Sequence, residues 1–161
     1  MFRAIDCYLD ATIFLHSMPG RYEPWEQFVN QCQRLKIKHI LCLTPLVEIA
    51  EKSLSYASAI EANQLPAKLH LSAVADFSIP AEIQNYTEHL ALLAAHVRGG
   101  DNVLIHCAAG IGRTGSAAVC LLIALGLNTE EAIELVKNSG SGPETNEQLN
   151  FIKHFQLEDE E

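Results

Sequence analysis

Residues 106–115 read His106-Cys107-Ala108-Ala109-Gly110-Ile111-Gly112-Arg113-Thr114-Gly115. The apolar run Val103-Leu104-Ile105 in front of them has the character of a buried strand, and residues 116–125 behind them form an apolar helix ended by Gly126. A strand therefore ends in a cysteine, and six residues later an arginine begins a helix. The three glycines let the intervening loop curl with its N–H groups inward. Such a nest of donors at a helix N-terminus binds a tetrahedral anion, and the same field stabilises a thiolate. Arg113, planar and permanently charged, can grip two phosphate oxygens at once. An anion cradle built around a thiolate implies attack by sulfur on phosphorus.

Outward from this stretch, β and α signals alternate. Residues 5–8 and 12–15 read as short strands, broken by Asp10 and by the Met18-Pro19-Gly20 turn. Residues 24–35 carry Trp25, Phe28, Val29, Cys32 and Leu35 at helical spacing, and residues 37–43 form a buried strand ended by Thr44-Pro45. A helix over residues 55–63, a strand over 68–74 and a long amphipathic helix opened by Pro80 and reaching residue 97 follow. Asn128 with Glu131 marks a capped helix to residue 138, and a last helix covers residues 145–155. The pattern predicts an α/β fold: one layered domain whose mostly parallel central sheet of about four to five strands is flanked by helices. That domain spans residues 1–156, with an acidic tail at 157–161. Right-handed crossovers bring the ends of the strands at 37–43, 68–74 and 103–105 to one sheet edge, where α/β ligand sites collect.

The chain has 161 residues, of which 48% are hydrophobic and 19% charged, enough for one domain with its own core. Eleven Lys and Arg against 20 Asp and Glu leave a net charge of −9, which argues against nucleic acid or an anionic membrane as the partner. The apolar stretch at residues 117–125 is about half of what a membrane span requires. The start lacks the basic and apolar regions of a secretory leader. Five cysteines cannot all pair within one chain and show no CxxC spacing, so a reducing, cytoplasmic setting is expected.

The run His106-Cys107-x-x-Gly110-x-Gly112-Arg113-Thr114-Gly115 resembles the active-site signature of the cysteine-dependent protein tyrosine phosphatases. Seven positions are specified; at about one in 20 per position, a chance match is roughly below one in a million. The signature lies two-thirds along a short chain, which is similar to the dual-specificity type rather than the low-molecular-weight or large tyrosine phosphatases. The nearest likeness is to the cyclin-dependent-kinase-associated phosphatase group. It rests on residues 15–20 (Leu-His-Ser-Met-Pro-Gly), 40–44 (Ile-Leu-Cys-Leu-Thr), 75–80 (Ala-Asp-Phe-Ser-Ile-Pro), and Gly140-Ser141-Gly142 before Thr145-Asn146-Glu147-Gln148.

The resemblance implies roles residue by residue. Cys107 matches the nucleophile that forms a phosphocysteine, and Arg113 the arginine that binds phosphate and stabilises the transition state. His106 matches the histidine that holds the loop and tunes the thiolate, and Thr114 the hydroxyl that assists the thiolate as it leaves. The N–H groups of Ala108, Ala109, Gly110, Ile111, Gly112 and Arg113 would bind phosphate. A phosphate ester also needs a proton on its leaving oxygen. Asp76 sits on a loop after a strand, at the expected sheet edge, and matches the family's general acid. Asp101 precedes Val103 and so belongs at the opposite end of its strand. Relatives carry Gln-Thr-x-x-Gln before the last helix; here Glu144 replaces the first glutamine, and Gln148 keeps the second, water-orienting place. Glu144 either repels phosphate or points away.

Cys42 ends a strand beside that of Cys107; a protective disulfide between them is one reading, a core thiol the favoured one. Cys7, Cys32 and Cys120 read as core. Arg21 and Tyr22 read as a solvated loop rather than substrate contacts. His89 and His96 share a helix face without a third ligand, so no metal and no cofactor are expected. The expected activity is hydrolysis of phosphotyrosine, with phosphoserine or phosphothreonine tolerated, by a monomer acting on phosphorylated proteins. Two alternatives are a phosphoinositide or small-molecule phosphomonoesterase and a non-catalytic phosphoprotein-binding pseudophosphatase. The absence of Lys at Ala108, Ala109, Ile111 and Gly112 disfavours the first, and intact Cys107, Arg113 and Asp76 disfavour the second.

Overall fold

A computed structural model describes residues 2–5 and 10–155. Five strands of the described residues form one sheet: β1 (Arg3–Ile5), β2 (Ile13–His16), β3 (Ile37–Cys42), β4 (Lys68–Leu71) and β5 (Asn102–His106), in the order β1-β2-β5-β3-β4. β1 runs antiparallel to β2, and every other pairing is parallel. Among the described residues, seven helices accompany it: α1 (Trp25–Arg34), α2 (Leu46–Lys52), α3 (Leu54–Glu61), α4 (Ile83–Arg98), α5 (Gly112–Ala124), α6 (Thr129–Asn138) and α7 (Asn146–His154).

Both sheet faces are buried, and the two-residue period of the strands assigns each side chain to a layer. Ile13, Leu15, Leu41, Val103 and Ile105 join the core made with α4, α5 and α6. Phe14, Ile40 and Leu104 point the other way, against Phe28 and Cys32 of α1, and Cys42 meets Ile49 of α2 and Tyr56 of α3. The central strand β5 lies between β2 and β3, in register so that His16 pairs with His106 and Cys42 with His106. Their C-terminal ends form one row, and the loop of residues 107–111 rises from its middle.

Helix α5 starts at Gly112, one residue before the arginine read as beginning it and four before the apolar stretch at 116, because Gly112 to Gly115 already form its first turn. That start depends on Gly115: a Cβ there would meet backbone atoms of Gly142 closer than 3.0 Å. Helix α4 starts at Ile83 rather than Pro80, with residues 80–82 remaining outside it. β4 ends at Leu71, but Ser72 and Val74 still donate backbone hydrogen bonds to Cys42 and Leu43, so the chain continues along β3 toward the site. Of the expected strand at 5–8 only Ile5 is described, as the last residue of β1; residues 6–9, with Cys7, and the tail at 157–161 lie outside the described residues. α2 was not expected at all. Pro45 reads as the end of β3, yet proline immediately before a first turn gives up only an N–H that a helix start leaves unpaired anyway.

Candidate active site

The loop of residues 107–111 is held from outside by its carbonyl oxygens. Ala108 accepts from the backbone N–H of Met18 and from Arg21 Nη1, both at 3.1 Å. Gly110 accepts from Ser141 Oγ at 2.6 Å and from Arg3 Nη2, and Ile111 accepts from the N–H of Gly142 at 3.3 Å. With those carbonyls turned outward, the alternate N–H groups turn inward, as an anion nest requires. Gly110 takes φ +80°, and a Cβ there would strike the His16 carbonyl, so only glycine fits this bend. Its N–H donates to Cys107 Sγ at 3.2 Å.

Arg113, in the first turn of α5, is 2% exposed. Its Nη1 and Nη2 donate to the two oxygens of Glu48 at 2.9 and 3.0 Å, an end-on fork, and Nη1 also donates to the Val74 carbonyl at 2.9 Å. Those three bonds leave the Nε–H and the second Nη2 N–H free among the described residues, a parallel pair suited to two phosphate oxygens. The Glu48 carboxyl is held down to about 2, chiefly by its hydrogen bonds from Arg113 and, to a lesser degree, by Lys52. Asp76 lies on the loop after β4, half exposed, with Oδ1 3.5 Å from Arg113 Nη2. Phe77 beside it has φ +60°, a left-handed conformation that a bulky side chain seldom adopts, so the acid sits on a strained turn. A cavity of about 220 Å³ joins these groups; Cys107, Ala108, Ala109, Gly112, Arg113 and Asp76 line it together with Arg21, Tyr22, Lys52, Phe77 and Glu144.

The family model described as "Swiss Army Knife protein, DSP-PTPase phosphatase domain" matches residues 15–158. The chain belongs to this phosphatase family. Among curated proteins, PRL-1 phosphatase of Drosophila melanogaster is 36% identical over 53 residues; the match covers 33% of this chain and only 30% of that protein's length. Among solved structures, kinase associated phosphatase (KAP), with its catalytic-site cysteine replaced by serine, superposes with TM-score 0.78 at 18% identity, covering 94% of this chain and 91% of that one. A mutant form of Tk-PTP gives TM-score 0.71 at 27% identity over 94% and 92%. PTPMT1 in complex with PI(5)P gives 0.74 at 17% over 94% and 92%. The KAP likeness accords with the expected nearest group, and the five-stranded, mostly parallel sheet is the fold these phosphatases share.

Within this DSP-PTPase domain, His106 is fully buried between sheet and helix. Its Nε2 lies 2.8 Å from the Tyr56 hydroxyl and its Nδ1 3.2 Å from the Cys107 carbonyl. Burial pushes the imidazole down to about 3, so it is neutral near pH 7. A neutral ring donates from Nδ1 to the Cys107 carbonyl and accepts the Tyr56 O–H at Nε2, which ties α3 to the start of the loop. The unfolded chain takes up this proton near 6.5 and the folded chain only near 3. His70 behaves alike, pushed down to about 4 by burial. Stability is therefore full above about pH 6.5 and declines as pH falls toward 3, whereas Glu48 withdraws its own contribution only as pH falls from 4.5 through about 2. Melting temperatures measured from about pH 8 to pH 4 are expected to hold to about 6.5 and then drop steadily.

Thr114 is fully buried, and its hydroxyl has no partner among the described residues. Gln148 is 1% exposed and does not line the cavity of Cys107. Its Oε1 accepts from the N–H groups of Glu144 and Thr145, at 2.7 and 3.3 Å, and its Nε2 donates to the Ser78 carbonyl at 3.2 Å. The carboxamide thus caps α7 and fastens the acid-bearing loop. Glu144 does not point away. Its carboxylate lies over Gly112, where a Cβ would strike it, and it lines the cavity. Arg21 and Tyr22 line the cavity as well: Arg21 bonds the loop at Ala108 and stacks 4.7 Å over the ring of Tyr22, which stays exposed at the rim, as a solvated loop would have it. Cys42 is a buried free thiol, pushed up to about 12 by burial, consistent with the core reading.

Sequence reasoning missed Glu48, Lys52, Tyr56 and Arg3, and singled out Ser141 only as part of Gly140-Ser141-Gly142 without a role. A signal existed for the first two: an acid and a lysine four apart, just after a strand that ends at the site edge. Arg3 and Ser141 reach Gly110 from distant parts of the chain, and no local pattern marks Arg3.

Proposed function

We propose that this chain hydrolyses phosphotyrosine in proteins, with phosphoserine and phosphothreonine tolerated, through a phosphocysteine intermediate. The observation that carries the reading is one cavity holding Cys107 Sγ, the inward N–H groups of its loop, and the free edge of an arginine fixed by Glu48. In the first step the Cys107 thiolate attacks phosphorus, the ester P–O bond breaks, and Asp76 gives its proton to the departing oxygen. In the second, water attacks phosphorus, the S–P bond breaks, Asp76 takes the water's proton, and phosphate leaves. The loop N–H groups and the Nε/Nη2 edge of Arg113 bind the equatorial oxygens in both. The unpaired hydroxyl of Thr114 suits a donor to the departing thiolate, and His106 keeps the loop in place. Gln148 acts by holding the acid loop and α7 together.

Tyr22 and Phe77, both exposed on the rim, offer an aromatic phosphoester apolar surface. Glu144 in the cavity and the lack of Lys at positions 108–112 disfavour an anionic lipid headgroup such as the PI(5)P of the PTPMT1 complex. A nucleophilic thiolate requires reducing surroundings, so the proposal includes a cytoplasmic setting.

The test is hydrolysis of phosphotyrosine and phosphothreonine peptides beside a soluble phosphoinositide, in EDTA. Phosphotyrosine is expected to be fastest. Asp76→Asn is expected to lower kcat on that peptide about 10²–10⁴-fold, and far less on an aryl phosphate with an activated leaving group. An undiminished kcat on phosphotyrosine would remove Asp76 as the acid. Preference for the phosphoinositide would assign the lipid reading, and no turnover by the reduced protein would assign the pseudophosphatase.

A further inference from the structure

We propose that His39, His96 and Asp101 form a binding site for one divalent transition-metal ion of the zinc class. The site lies at the end of the sheet remote from Cys107. His39 stands near the start of β3, His96 in the last turn of α4, and Asp101 in the turn leading into β5. The sequence pairs His96 only with His89 on one helix face, whereas the fold brings His39 and Asp101 beside it from two other elements.

Asp101 Oδ2 lies 3.3 Å from His39 Nε2 and 3.2 Å from His96 Nδ1, and the three ligand atoms all fall within 4.8 Å of one another. With metal–ligand bonds of about 2.0–2.1 Å, the edge of a tetrahedral site is about 3.4 Å, so two of the three edges already have the required length. Two imidazoles and a carboxylate suit zinc and its neighbours rather than calcium or magnesium. His39 is buried, whereas His96 and Asp101 are 34% and 40% exposed, which leaves the fourth position to water.

A ligating histidine must donate its other N–H, and His39 has an acceptor in place. His39 Nδ1 lies 3.1 Å from His70 Nε2 on the neighbouring strand. Coordination through Nε2 puts the His39 proton on Nδ1, facing His70, whose own proton then resides on Nδ1. Burial holds both rings below the ordinary histidine range. Lys68, paired with His39 in the β3–β4 register, is the adjoining cation; it is exposed and screened by water. An ion here would clamp β3, α4 and the turn before β5, and it would stabilise the fold without entering the phosphatase chemistry.

Cobalt(II) reports the site directly. In the full chain with Cys107→Ser, which removes the cavity thiol as a rival ligand, titration is expected to give the visible bands of tetrahedral cobalt at one equivalent per chain. Zinc should displace them and raise Tm. His96→Ala and Asp101→Asn, both at partly exposed positions, are expected to weaken cobalt binding at least about tenfold with unchanged circular dichroism. In the chain with native Cys107, His96→Ala is expected to leave EDTA-treated hydrolysis unchanged. No cobalt bands, or bands undiminished in both variants, would show the cluster to be hydrogen-bonded side chains only and would overturn the proposal.

Discussion

Cys107→Ser is expected to abolish turnover, with a loss in kcat on the order of 10⁶-fold, the scale on which a covalent nucleophile is missed. The hydroxyl has nothing to take its proton: His106, the adjoining base, is held neutral with both ring nitrogens engaged by Tyr56 and the Cys107 carbonyl. The loop carbonyls stay anchored to Met18, Arg21, Ser141 and Gly142, so the nest survives the change. Inorganic phosphate should therefore bind the variant about as tightly as it binds the parent. Steady-state kinetics and phosphate titration on one preparation separate the two effects. Lost turnover with lost phosphate binding would mean that the sulfur organises the loop rather than attacks.

Arg113→Lys is the second large effect: kcat/KM on phosphotyrosine peptide should fall about 10³–10⁵-fold, although the charge is conserved. A lysine cannot reproduce the planar fork to Glu48 and the parallel Nε/Nη2 edge together. It also leaves part of the Glu48 carboxylate, 16% exposed, without its partner. Glu48→Gln tests the same arrangement from the other side, since it keeps Arg113 but loosens its orientation. Activity of Arg113→Lys within tenfold of the parent would show that a point charge suffices and that the fork is structural.

How far the sequence discloses this site depends on how far apart the participating residues lie along the chain. Cys107, Arg113, Thr114 and the cradle are contiguous, and the strand–loop–helix context is legible from Val103 to Gly126. Asp76 could be placed because strand order fixes which end of the sheet its loop occupies. Glu48 could not. It lies 65 residues from Arg113 on a seven-residue helix hidden behind a proline that reads as a terminator. The direction of Glu144 is a rotamer choice set by the bare Cα of Gly112, and the cluster of His39, His96 and Asp101 gathers single residues from a strand, a helix end and a turn. Period and propensity report none of these, because each depends on which elements become neighbours.

The central claim is that phosphoryl transfer passes through sulfur at Cys107. Mixing the reduced protein with phosphotyrosine peptide, quenching in acid within one turnover and mapping the phosphoryl group by mass spectrometry tests it most directly. The account predicts one phosphoryl group on the peptide containing Cys107, longer-lived in Thr114→Ala. Rapid hydrolysis with no phosphoryl group on Cys107 at any quench time, and undiminished in Cys107→Ser, would contradict it.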